Sequence, residues 1–346
     1  MNPSGGKHLA VKMLAPLAAY YGRQNVEECV LNREGEIWIK WRRGGWERIE
    51  AAELSYDYLR KLCRVLANIN GSRFSEDDLP VVSCELPGQP FRFQAIVGSN
   101  VRYFLDDNRG AALAIRALTA DKEISLGHYG LHPDAKLPGA ARFLGEFDEG
   151  GDYIERIQKV IEAHETILVS GATSTGKTTF TNRLLSMIHP DSRVITVEDA
   201  RELTVEQLNR VHLVVPRNRS VNAVNYTTVI DSLMRLTPDW VVCGELSVHN
   251  AQPVYTLMGK GHPIMTTVHA STPEQAVQAF VNNMATAGST LDGATTATNL
   301  RALIGCIIQL ERRDGKRQVT DIVFPASEVR AELAAREAQR DRARTI

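Results

Sequence analysis

Apolar positions in the first third of the chain fall largely two apart. Between Glu36 and Glu50, "EIWIKWRRGGWERIE" places Ile37, Ile39 and Trp41 at alternate positions before Gly44-Gly45, which predicts a hairpin. The spacing then changes. In "SYDYLRKLCRVLANING", Leu59, Leu62, Cys63, Val65 and Leu66 recur at helical intervals and Gly71 is the stop. "FRFQAIVG" and "AALAIRALT" read as further strands, and the opening "MNPSGGKHLAVKMLAPLAAYY" as a first helix. From Tyr153 onward the pattern alternates regularly. A helix ("YIERIQKVIEAH") leads to a strand ("TILVSG"), then a glycine loop, a helix ("TTFTNRLLSMI") and a strand ("SRVITVED"). The strands "WVVCGE" and "PIMTTVHA" follow, each preceded by a helical pattern. Such alternation predicts an α/β domain with a mostly parallel sheet and a ligand at the strands' carboxyl ends.

These elements set an expected organisation: a smaller α+β N-terminal domain over 1–120, a glycine- and proline-rich linker over 121–151, the α/β domain over 152–325, and a charged helix or tail over 326–346. A chain of 346 residues has room for two cores. Its net charge of −1 supplies no global field for nucleic acid or anionic lipid, and direct nucleic-acid binding is not expected. No apolar run approaches the roughly 18 residues of a spanning helix, and the first segment lacks the form of a secretory signal. The five cysteines are scattered without a CxxC pair, which fits a reducing compartment and no zinc module. The expected location is cytoplasmic.

The candidate chemistry begins at Gly171-Ala172-Thr173-Ser174-Thr175-Gly176-Lys177-Thr178-Thr179. This matches the phosphate-loop pattern GxxxxGK[ST], with an apolar strand before it and a helix after it. The glycines let successive N–H groups bend onto phosphate oxygens, and the helix N-terminus adds partial positive charge. Lys177 is expected to reach the β- and γ-phosphates of ATP, and the Thr178 hydroxyl to bind Mg²⁺. Hydrolysis further needs a carboxylate that polarises water. Two strand ends offer one, Glu198-Asp199 and Gly244-Glu245, and sequence alone does not choose between Glu198 and Glu245. A third strand ends at His269, beside the same expected edge.

Four segments together resemble the secretion ATPase superfamily, which serves type II and type IV secretion and type IV pili. "GATSTGKTT" resembles its Walker A loop. "RVITVEDARELTVEQLNRVHL" is similar to its Asp box, including Glu198, Asp199, Glu202, Leu203 and Asn209. "LMRLTPDWVVCGELS" resembles the Walker B stretch, and "GHPIMTTVHASTPEQA" the His box with His262 and His269. "IIQLERRDGKRQVTDIVF" looks like the closing strands. More loosely, "VLNREGEIWIK", "LPGQPFRFQAIV" and "AALAIRAL" resemble the N-terminal domain of type IV secretion traffic ATPases.

The resemblance implies a RecA-like P-loop domain and a homohexameric ring. It implies His269 as a sensor of the γ-phosphate and Arg92 and Arg116 as nucleotide-reaching arginines of the N-terminal domain. The implied function is an ATP-hydrolysing motor for translocation or pilus biogenesis, joined to inner-membrane channel proteins and peripheral to that membrane through them. The alternatives are a nucleotide-gated scaffold with weak hydrolysis and a pilus or tight-adherence motor of the same superfamily. A small-molecule kinase, which would usually show an arginine-rich lid and an acceptor pocket, fits less well, and so does a helicase with aromatic strand-binding loops, since only 6% of the residues are aromatic. Four positions depart from the superfamily pattern. Ser174 and Thr175 stand where glycine and serine are common, and Ser247 and Ala279 where arginine is usual.

Overall fold

The computed structural model describes residues 3–42, 44–89, 91–104, 107–117, 152–215, 226–313 and 316–329. The expected linker over 121–151 and the C-terminal helix beyond residue 329 lie outside the described residues. By internal contacts the chain divides into two compact units, Met1–Leu118 with Thr178–Thr267, and Thr119–Lys177 with Val268–Ile346.

In the first unit, an antiparallel sheet is built from β1 (Val26–Leu31), β2 (Gly35–Trp41), β3 (Trp46–Ala51), β4 (Val81–Glu85), β5 (Phe91–Gly98) and β7 (Gly110–Ala117), in the order β3-β2-β1-β7-β5-β4. The expected hairpin is β2–β3, with Ile39 opposite Glu47. Two helices, α1 (Pro3–Tyr21) and α2 (Tyr56–Ile69), contribute to the same core. Ser55 caps α2 by accepting from the Tyr58 N–H, and Leu59, Leu62, Cys63 and Leu66 bury one stripe of it. Each such leucine contributes about 1.5–3 kcal/mol of transfer free energy.

The same unit holds most of the parallel strands: β9 (Val194–Glu198), β10 (Arg210–Val214), β11 (Trp240–Cys243) and β12 (Ile264–Val268). They run in the order β12-β11-β9-β10. A two-residue strand of the N-terminal segment, β6 (Val101–Arg102), pairs antiparallel with β10. The helix α4 (Lys177–Leu185) precedes β9, α5 (Tyr226–Leu236) joins β10 to β11, and α6 (Ala251–Gly259) joins β11 to β12. The second unit carries α3 (Tyr153–Glu162), β8 (Thr166–Gly171), α7 (Pro273–Thr286), α8 (Gly293–Leu303) and the hairpin β13 (Ile304–Arg313) with β14 (Lys316–Val323). There β13 runs parallel to β8 and antiparallel to β14.

A buried cation ties the N-terminal strands to β9. Arg193 is 0% exposed. Its Nε donates to the Leu236 carbonyl at 2.8 Å, and its Nη1 donates to Asn209 Oδ1 at 2.7 Å and to Asn32 Oδ1. Asn32 in turn donates to Asn209 Oδ1 at 2.9 Å. Burial pushes the guanidinium down to about 10, opposed by Glu28 and Asp239. Removing this side chain strands several buried acceptors at once. Arg193→Ala is therefore expected to lower the unfolding free energy by about 3 kcal/mol in urea denaturation. A loss below about 1 kcal/mol would contradict this role.

Candidate functional site: a phosphate loop and two acidic strand ends

All six residues of β8 are buried, with Ile167, Leu168 and Val169 at 0% exposure, so the loop leaves a fixed strand end. A Cβ on Gly171 would lie 2.6 Å from the Leu310 carbonyl oxygen and 2.6 Å from Thr175 Oγ1, so only glycine fits there. Ala172, Thr173 and Ser174 form the exposed tip of the loop. Thr175 is buried and its hydroxyl donates to the Ala172 carbonyl at 2.9 Å. Gly176 takes a φ of +92° and α4 begins at Lys177. Ser174 has a φ of +66°, the left-handed conformation that glycine adopts without steric cost. The departure noted at Ser174 thus falls on the one tip residue of the loop that needs a positive φ.

Lys177 is buried. Its Nζ donates to the Gly171 carbonyl at 2.8 Å, the Ala172 carbonyl at 3.0 Å and His269 Nδ1 at 3.2 Å. An ammonium can only donate, so the imidazole accepts through Nδ1. The phosphate-loop cation and the His-box ring, 92 positions apart, are thereby brought together within the second unit.

In the first unit, Glu198 ends β9 and Glu245 follows its parallel neighbour β11, at the same carboxyl edge. Their environments differ. Glu198 is 2% exposed. Its Oε1 accepts the Glu202 and Leu203 N–H groups at 2.8 and 2.7 Å, and its Oε2 accepts the Thr196 hydroxyl at 3.0 Å. Arg201 Nε stands 3.6 Å away. Burial raises the Glu198 pKa, against the pull of those donors and of Arg201. Because the Thr196 proton goes to Glu198, His212 Nδ1, at 2.8 Å, donates to the Thr196 oxygen. Burial holds His212 well below its ordinary range, with Arg201 and Arg210 acting in the same direction. Glu198 is thus a saturated carboxylate that shapes the following segment. Glu245 is only half-buried, and the turn beyond it is pinned by Asn250, which donates to the Glu245 carbonyl and accepts the Ser247 N–H, both at 2.8 Å.

Sequence reasoning left two contributors without a role. Glu202 accepts the Thr178 hydroxyl at 3.3 Å. Asn182 on α4 donates to the Glu202 carbonyl at 3.3 Å and accepts the Thr204 N–H at 2.9 Å. The signal for Glu202 was its place in the Asp box, while nothing in the sequence singled out Asn182. The hydroxyl of Thr178 and the carboxylate of Glu202 form an oxygen pair of the kind a hard cation such as Mg²⁺ takes.

Arg92 and Arg116 are directly opposite each other on β5 and β7. With Glu85, Met234, Arg235 and Thr237 they line a pocket of about 420 Å³. Thr237 precedes β11, so this pocket lies at the amino edge of the parallel strands, and Glu198 and Glu245 lie at the carboxyl edge. Four residues of strand separate those edges by about 13 Å. Within the first unit the structure does not bring the two arginines to the acids.

Residues 141–341 match the family described as Type II/IV secretion system protein. The chain belongs to that family. It is a traffic ATPase with a nucleotide substrate, and its mixed α/β fold with a parallel sheet is RecA-like. It is 25% identical over 333 residues to the type IV secretion system protein VirB11 of Bartonella quintana, covering 91% of this chain and 93% of the relative. It is 28% identical over 326 residues to the type IV secretion system protein PtlH of Bordetella pertussis, covering 90% and 94%. Its fold matches the crystal structure of the VirB11 ATPase of Brucella suis with a TM-score of 0.78 at 23% identity, over 93% of this chain and 99% of that one. Among the described residues no helix is long and apolar enough to cross a membrane.

The strained tip of the loop generates a test. Ser174→Gly removes the left-handed penalty and frees the unfolded chain, for a net gain of up to about 1 kcal/mol. Thermal unfolding should show a small rise in Tm, and a fall would contradict the strain at this position.

Proposed function

We propose that this chain is an ATP-hydrolysing, Mg²⁺-dependent motor that works as a homohexamer to energise translocation or pilus biogenesis in a type IV secretion system. The observation that carries the reading is the meeting of Lys177 with His269 Nδ1 at 3.2 Å at the end of β8. It joins the loop that holds phosphate to a ring able to respond to the γ-phosphate.

In this reading Lys177 turns from the loop carbonyls to the β- and γ-phosphates, and the loop N–H groups and the α4 N-terminus hold the remaining oxygens. Thr178 and Glu202 hold Mg²⁺, which supplies Lewis-acid neutralisation of the phosphate charge. Glu245 polarises the attacking water, because its half-buried carboxylate is the more accessible of the two acids. Glu198, with its donors already in place, positions the Glu202 segment. Arg92 and Arg116 sit at the wrong edge for their own acids, so they serve the nucleotide of an adjacent copy. A head-to-tail interface that closes into a ring produces that arrangement. Inner-membrane channel proteins are the expected partners, and they would hold the ring at the cytoplasmic face of the membrane.

Steady-state ATPase rate against protein concentration, with light scattering on the same samples, tests this for the wild type, Glu245→Gln and Glu198→Gln. Activity should rise with assembly, and Glu245→Gln should lose at least about 100-fold in kcat while still binding ATP. Glu198→Gln should act mainly through stability, lowering Tm. Tight ATP binding without turnover in any assembly state would leave a nucleotide-gated scaffold.

A further inference from the structure

The hairpin β13–β14 sets basic residues opposite one another near its end. Arg312 lies directly opposite Arg317, and Arg313 directly opposite Lys316. Like charges opposed across two strands oppose the pairing. Arg313 is compensated within its own strand by Glu311, 2.7 Å away.

Register shows where this tip stands. Leu310 of β13 is the partner of Gly171 on β8, the first glycine of the phosphate loop. Two residues further along β13 comes Arg312, so the tip extends past the strand end that launches the loop. Arg317 itself lies on the loop. A Cβ placed on Gly176 would meet Arg317 Cδ at 2.9 Å, Nε at 3.5 Å and Nη1 at 3.7 Å. The absent side chain of Gly176 therefore does more than permit a φ of +92°; it makes room for an arginine. Arg317, Gly176, Lys177 and Gly171 all belong to the second unit.

We propose that Arg317 is a nucleotide-contacting cation that the closing hairpin lays over the phosphate loop, where its guanidinium binds the phosphate chain of the nucleotide. This rests on the reading of the loop as the nucleotide site. The loop's lysine approaches from the start of α4, whereas Arg317 approaches from the β14 side, so the phosphate chain is held between two cations. A guanidinium adds forked donors that a lysine lacks. The anion also offsets the opposed Arg312–Arg317 charges, so nucleotide binding fastens the hairpin tip.

Equilibrium titration of the full-length protein with ATP and with inorganic tripolyphosphate tests the proposal, using the wild type, Arg317→Ala, Arg317→Lys, Arg313→Ala and Lys177→Ala. Arg317→Ala should weaken both ligands about tenfold, with Arg317→Lys between it and wild type. Arg313→Ala should change affinity less than about twofold, since its charge is already spent on Glu311. Equal binding by Arg317→Ala and wild type overturns the proposal. So does an ATP loss with tripolyphosphate unaffected, because the contact would then be to base or sugar. Failure of the wild type to bind either ligand, or full binding by Lys177→Ala, would overturn the reading of the loop itself. Arg317 is exposed, so an unchanged Tm for Arg317→Ala separates lost binding from lost folding.

Discussion

The close passage of β13 past Gly171 is the constraint on which the rest of the phosphate loop depends. With 2.6 Å between the Leu310 oxygen and the place a Cβ would occupy, the strand and the loop share one tightly packed corner. That corner fixes the end of β8, which aims the Gly171 and Ala172 carbonyls at Lys177 and brings the lysine to His269. It also sets the register of the whole hairpin, and so carries Arg317 to Gly176. A loop built from exposed small residues gains its geometry from the buried strand behind it rather than from its own contacts.

The two glutamates show how environment divides roles between chemically identical groups. Each ends an apolar strand, and Gly244 packs so near Glu198 that a Cβ there would sit 3.3 Å from its Cγ. Glu198 meets two backbone N–H groups and a hydroxyl, so its carboxylate is committed to holding the turn after β9. Glu245 leaves the sheet into a turn braced by Asn250, which fixes its backbone and keeps its side chain only half-covered.

Much of this was legible in the sequence because the signals are local. Apolar runs such as Ile167–Val169 and Val241–Cys243 need no partner to announce a buried strand, and the loop pattern is contiguous. Period-two alternation likewise announced β2, the Gly44-Gly45 turn its return strand, and the helical spacing from Leu59 to Leu66 announced α2. The elements that escaped are defined by distant partners. β6 is two residues long and exists because β10 accepts it; β10 itself reads, through Arg210 and His212, as half-polar until its neighbours bury it. Asn209 belonged to a recognisable box, yet its bond to Asn32 spans 177 positions and no local pattern encodes it. The same holds for Arg92 and Arg116. Sequence identified the residue type and the strands, while only topology shows that they face the edge opposite the acids.

That opposition motivates the proposal that an adjacent copy of the chain completes each catalytic site. A mixing experiment tests it most directly: Lys177→Ala chains, which keep their arginines, are combined with Arg92→Ala/Arg116→Ala chains, which keep their loop. Each variant alone should be inactive. Random mixing at equal amounts should restore ATPase activity at about a quarter of the sites of a head-to-tail ring, where an intact loop meets an intact pair of arginines. A mixture as inactive as its components, with mixed rings shown to form, would place the arginines and the loop of one site in a single chain and contradict the account.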